Sequence, residues 1–167
     1  LQLSSCSSLC YITALATCTL LQHVDLSGCQ GVKDISPLAP LSMLRHLDLN
    51  QCSGVTDISP LHALTILTHL DLQYCTDVTD ISPLGSLTLL SHLNLCLLRL
   101  LKDITPLAMC KELQELSLLA CSNVRDITAL AACTKLRRVY LTDCPARRQA
   151  LQVLGPGCDL MAWWFVD

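Results

Sequence analysis

The chain has 167 residues, 51% of them hydrophobic but only 4% aromatic and 15% charged, with 12 cysteines. A length near ~150 residues fits one domain, and the apolar content excludes a disordered chain or a charged nucleic-acid tail. The net charge of −3 leaves no basic footprint for nucleic acid, and no uninterrupted apolar run reaches the ~18 residues of a bilayer span, so membrane insertion is not expected.

The charge is unevenly spread. Residues 1–98 carry Lys33 and Arg45 against seven aspartates, a balance of −5, whereas residues 99–167 carry nine basic against seven acidic side chains, or +2. The first residues lie in the middle of a repeat with no signal-peptide pattern, which leads us to expect a longer parent.

That repeat dominates everything after it. The string Asp-Ile-Ser-Pro-Leu begins at Asp34, Asp57 and Asp80, becomes Asp-Ile-Thr-Pro-Leu at Asp103 and Asp-Ile-Thr-Ala-Leu at Asp126, always 23 residues on. Leu26, Leu49, Leu72, Leu95, Leu118 and Leu141 form a column with the same period, and so do Cys6, Cys29, Cys52, Cys75, Leu98, Cys121 and Cys144. A fixed period of this length signals stacked supersecondary units.

Within a unit, Leu47-Asp48-Leu49 alternates apolar and polar residues, the period of a strand buried on one face. One such strand cannot bury its leucines, but copies stacked ~4.8 Å apart can. Ser36, Ser59, Ser82, Thr105 and Thr128 then precede Pro37, Pro60, Pro83, Pro106 and Ala129, predicting a hydroxyl N-cap with proline opening a short helical turn. Leu38, Leu41 and Leu44 should point inward from that turn, and Pro40 favours 3₁₀ geometry. The aspartate column is structural, each carboxylate placed to accept backbone amides at the entry to the turn. After Cys144 the period fails. A helix is predicted over 146–154, a turn at Gly155 to Cys158, and then a strand with Met161, Trp163 and Phe165 on one face and Leu160, Ala162 and Trp164 on the other.

From Leu3 to about Cys144 the pattern resembles the leucine-rich repeat family. The short period and the DISPL segment are similar to bacterial internalin and phosphatase-regulatory types. Cysteine in the usual asparagine slot is similar to the type found in F-box proteins, and the combination with His-Leu-Asp-Leu looks most like repeats of trypanosomatid parasites. The resemblance implies an α/β, right-handed solenoid with a parallel β-sheet on the concave face and short 3₁₀ or α turns on the convex face. Residues 1–144 would form an array of about six repeats and 145–167 a capping helix and strand.

Nine of the twelve cysteines, the ladder column together with Cys18, Cys110 and Cys133, fall in columns where apolar residues belong, leaving Cys10, Cys96 and Cys158 outside. Stacked ladder thiols at the inter-strand spacing of ~4.8 Å exceed the ~3.5–4.5 Å between Cβ atoms of a disulfide. They read as small buried hydrophobes. Without a Cys-x-x-Cys pair or converging ligands we expect no metal and no cofactor. Reduced buried thiols point to an intracellular, cytoplasmic location.

Function is expected on the concave face. One column there reads His23, His46, His69, His92, Glu115 and Arg138, and the next Asp25, Asp48, Asp71, Asn94, Ser117 and Tyr140. Beyond them lie Asn50, Gln73, Cys96 and Leu119, then Tyr74 and Leu97. Each aspartate is expected to soften repulsion among the stacked histidines by pairing with them, and solvent-exposed histidines could make the surface sensitive to pH. Cys96, Leu97, Leu119 and Ala120 break the polar pattern and form a candidate apolar patch bordered by charge, with inward tucking of Leu97 and Leu98 as the alternative. No nucleophile, oxyanion donor or cleft accompanies the ladder, so no enzyme is expected. The reading is a protein-binding scaffold or adaptor with another protein as partner. The alternatives are a substrate-recognition arm of a larger enzyme, such as a ubiquitin ligase or signalling protein, and an internalin-like surface adhesion protein.

Overall fold

The 23-residue period becomes one rung of a stacked solenoid in the computed structural model, which describes residues 1–161. Each rung contributes a three-residue strand: β1 His23–Asp25, β2 His46–Asp48, β3 His69–Asp71, β4 His92–Asn94, β5 Glu115–Ser117, β6 Arg138–Tyr140 and β7 Asp159–Met161. They form one parallel sheet in chain order, and the register places His23 against His46, His46 against His69 and His69 against His92. Equivalent residues therefore become neighbours, and any side chain repeated in sequence becomes a row in space. Gln2 extends the sheet with an isolated bridge to Asp25.

The return path is 3₁₀ in every rung: Thr13–Thr17, Ser36–Leu38, Ser59–Ala63, Ser82–Ser86, Thr105–Met109 and Thr128–Ala132. The predicted capping is corrected in detail. The isoleucine, not the hydroxyl residue, holds the N-cap position, without a side-chain cap, and serine or threonine opens the turn with proline second. The missing cap is supplied one residue earlier. Asp34, Asp57, Asp80, Asp103 and Asp126 each accept the amide two residues on, at 2.7–2.8 Å. These charge-assisted bonds hold the carboxyls of Asp34, Asp57, Asp103 and Asp126 below their ordinary range. Beneath the turn, Leu38, Leu41 and Leu44 are buried, as their spacing predicts.

Among the described residues no polar or charged residue is buried, and one continuous core of leucine, isoleucine, valine and cysteine runs the length of the stack. Each fully buried leucine contributes about 1.5–3 kcal/mol. The loop after each strand carries a left-handed residue at the same register: Ser5, Gly28, Gln51, Tyr74, Leu97, Ala120 and Asp143 all have φ between 56° and 74°. Only Gly28 is free of Cβ strain there. Ala120→Gly is accordingly expected to stabilise the fold by about 0.5–1 kcal/mol, the relief of strain exceeding the added freedom of the unfolded chain. A urea midpoint below that of the parent would contradict this.

The cysteine column holds a hydrogen-bonded ladder. Cys52, Cys75 and Cys121 donate their thiols to the carbonyls of Leu26, Leu49 and Leu95, 26 residues upstream, at 3.0–3.1 Å. Cys110 and Cys133 repeat the arrangement with Leu84 and Leu107 in the second column. Burial pushes Cys52, Cys75, Cys110 and Cys121 up to about 12, so none is a thiolate near neutrality. All twelve cysteines are free.

Three thiols depart from the predicted pattern. Cys6 and Cys18 are exposed because they belong to the first rung, whose outer side has no neighbour among the described residues, and Cys96 is buried although its column is polar elsewhere. A thiol reagent should therefore modify Cys6, Cys10 and Cys18 quickly in the native protein, and all twelve cysteines after denaturation. Fast labelling of Cys75 without unfolding would contradict this packing.

Beyond Cys144 the predicted single helix is two short pieces, a 3₁₀ turn Pro145–Gln149 and helix α1 Ala150–Val153. Ala146 and Ala150 are buried against the last rung, and the Gln149 side-chain oxygen accepts the Ile127 amide at 3.1 Å. Of the predicted terminal strand only the first residues are described, as β7, exposed at all three positions. Ala162, Trp163, Trp164 and Phe165 lie outside the described residues.

Candidate functional site

Register converts the repeated His-x-Asp into two parallel rows on the concave face. The imidazoles of His23, His46, His69 and His92 stack with centroids 4.1–4.3 Å apart and planes within 19°. Burial and mutual repulsion lower the basicity of His46, and push His69, flanked on both sides, down to about 4. The inner rings are neutral at pH 7.

The predicted pairing of histidine with aspartate is not what the structure shows. Asp25, Asp48 and Asp71 instead bond the amides of Ser27, Asn50 and Gln73, two residues on, at 2.8–2.9 Å. The turn at the end of each strand claims the carboxylate, so it is not available to the ring. The histidines take hydroxyl partners: His69 Nδ1 lies 2.9 Å from Thr68 Oγ1, and His92 Nδ1 lies 2.8 Å from Ser91 Oγ. Those hydroxyls also contact the carbonyls of Arg45 and Thr68 at 3.0 Å. A hydroxyl has one proton, so satisfying both contacts places the ring proton on Nδ1 and leaves Nε2 as an acceptor. Thr68 and Ser91 were not among the expected site residues, although they stand directly before His69 and His92 in the sequence, where Gln22 and Arg45 precede His23 and His46.

The next row is a polar network. Asn94 donates to Asp71 and Gln73, both at 2.9 Å. Burial raises the pKa of Asp48 and Asp71 above the ordinary carboxylate value, and in Asp48 the neighbouring carboxylates add to it. At the far end, Arg138 and Glu115 pair at 2.6 Å, and the Tyr140 hydroxyl lies 3.2 Å from the same carboxylate.

Fifteen of the seventeen predicted residues line a shared open groove of about 610 Å³. They are the four ladder histidines, Asp25, Asp48, Asp71, Gln73, Tyr74, Asn94, Cys96, Leu97, Glu115, Leu119 and Tyr140, while Asn50 and Arg138 stand outside it. Ser117 and the N-terminal Leu1 and Gln2 also line it. The apolar patch is part groove and part core: Leu98 is fully buried and Cys96 nearly so, while Leu97 and Leu119 are half-buried on the groove wall. Among the described residues no cluster of histidine, cysteine, aspartate or glutamate could hold a metal ion, and no helix is long and apolar enough to cross a membrane.

An internalin C2 from Listeria monocytogenes matches 80% of this chain with a TM-score of 0.69 and 33% sequence identity. The chain is a leucine-rich repeat protein. An internalin (inlF) from the same organism matches 74% of the chain with a TM-score of 0.54 and 30% identity. The leucine-rich repeat chain spans 57% and 42% of the lengths of these two internalin neighbours. No family model matches the sequence, and no curated protein matches it at a significant level. Leucine-rich repeat domains are generally protein-binding modules and their fold is typically non-catalytic.

Proposed function

We propose that the protein is an intracellular scaffold or adaptor that binds another protein through its concave sheet. One observation supports this most: in-register rows of polar and apolar side chains line a single open groove on a backbone fixed by parallel strands. A preorganised surface of this kind loses little backbone entropy on association. It also leaves chemistry to its partner, since nothing in the groove encloses a reacting group. The His-Leu-Asp-Leu and DISPL signatures support a trypanosomatid-type repeat within the fold family.

Leu97→Asp combined with Leu119→Asp tests the face directly, with Met109→Ser on the exposed convex side as control. Partners captured from the native cell and identified by mass spectrometry are expected to be lost with the double variant and kept with the control. Unchanged capture by a correctly folded double variant would overturn the reading. The likeness to internalins supports a second reading, a surface adhesion module. Seven cysteines bonded through their thiols to core carbonyls, all unpaired, favour the intracellular one.

A further inference from the structure

The polar groups along β1 to β4 are sorted by hydrogen-bonding role. Four donors are spent within the protein: the Thr68 and Ser91 hydroxyls contact carbonyls, the Asn94 amide serves Asp71 and Gln73, and the Ser27 hydroxyl serves Asp25. Beside the side-chain amide of Gln73 and the ring N–H groups of His23 and His46, what remains is acceptor capacity. It comprises Nε2 of His69 and His92, as the ring protons sit on Nδ1, and the second carboxylate oxygens of Asp25 and Asp48.

Charge follows the same division. Asp25, Asp48 and Asp71 face one another in register, and among the described residues none forms an ion pair with lysine or arginine. Glu115, at the opposite end, is neutralised by Arg138. The uncompensated negative charge of the groove is therefore confined to β1, β2 and β3. Alongside it, Tyr74, Leu97 and Leu119 supply an apolar wall.

We propose that the groove receives an extended peptide segment of a partner protein that carries two lysine or arginine side chains and an adjoining apolar residue. The cations would sit over the aspartate row and donate to the exposed imidazole nitrogens, and the apolar side chain would lie against Tyr74, Leu97 and Leu119. Rows ~4.8 Å apart spread three carboxylates over ~10 Å, a span matched by residues two or three apart in a segment rising ~3.3 Å per residue. Burial raises Asp48 and Asp71, and at Asp48 the neighbouring carboxylates add a repulsion that an external cation would relieve. Nucleic acid would meet the wrong sign of charge.

This assignment rests on the protein-binding reading, and its test separates the two. A random dodecapeptide phage library is panned against the full chain, then against Asp48→Asn with Asp71→Asn and against Leu97→Asp with Leu119→Asp. The asparagine variant should fold, because Asn94 already accepts the Cys96 amide at the equivalent position in β4.

The expected result is enrichment of peptides with two basic residues two or three apart beside an apolar one. Their affinity should fall about tenfold in the asparagine variant and several-fold between about 50 and 500 mM salt. Enrichment of acidic or neutral peptides that the Leu97 and Leu119 variant abolishes would overturn the charge assignment and leave protein binding standing. Peptides indifferent to both variants would overturn both readings, and absence of any enrichment would overturn the extended-peptide proposal.

Discussion

Leu72→Ala is expected to lower the unfolding free energy by about 3 kcal/mol, the typical cost of removing a fully buried leucine whose cavity cannot close. Leu72 has no solvent exposure and stands in the column between Leu49 and Leu95, both equally buried. Its walls cannot move inward, because the Leu72 amide is tied to Asn94 of the next rung at 2.9 Å and the Leu49 amide to Asp71 at 2.9 Å. The effect should also spread beyond one rung. Each unit contacts only its neighbours, so weakening a central one uncouples the two halves and broadens the urea transition. Leu100→Ala, at a leucine that is half exposed, is the reference and should change stability by no more than about 0.5 kcal/mol. A Leu72→Ala loss below about 1 kcal/mol would show that the rungs repack more freely than their hydrogen bonds allow.

The architecture was legible in the sequence because a period is a global signal. Once Asp34, Asp57, Asp80, Asp103 and Asp126 set the register, the strand rows and the inward columns follow with no information about long-range contacts. Details that depend on which of two local partners wins were not legible. Asp48 could reach a histidine or the amide two residues on, and the amide wins because the turn holds it at 2.8 Å. Position within the stack was equally hidden: Cys18 and Leu41 share a column, yet only the residue with rungs on both sides is buried. The apolar break at Cys96 to Leu98 could be read either as a patch or as inward packing, and both are present, since Leu98 fills the cysteine slot while Leu97 is held on the wall by its left-handed backbone.

Stability is expected to fall as the pH drops from about 6.5 towards 4, and His69→Gln should remove most of that fall. The folded ladder disfavours protonation of its inner rings, with His69 pushed down to about 4 and His46 shifted the same way by burial and by its stacked neighbours. In the unfolded chain these rings titrate near ~6.5. Below that value the unfolded state binds protons that the folded state refuses, so the contribution is fully present above about 6.5 and is lost until the folded ring itself titrates near 4. Discounted for the partial exposure of the ring, His69 alone accounts for about 1–2 kcal/mol. The concave aspartates act in the opposite sense. Asp48 and Asp71 are raised in the fold, so they favour folding as pH falls through their folded values, which partly offsets the loss at its lower end. The convex carboxylates of Asp34, Asp57, Asp103 and Asp126 are lowered, and their contribution disappears only below the ordinary range near ~3.8. Because the concave aspartates act in the opposite sense, a loss of stability between about pH 6.5 and 5 is assigned to the ladder by the comparison with His69→Gln. Glutamine keeps a planar group in the stack but cannot take the charge, so urea midpoints measured at pH 7.5 and 5 should differ clearly for the parent and little for His69→Gln. Equal acid losses in the two proteins would assign the pH dependence to groups outside the histidine row.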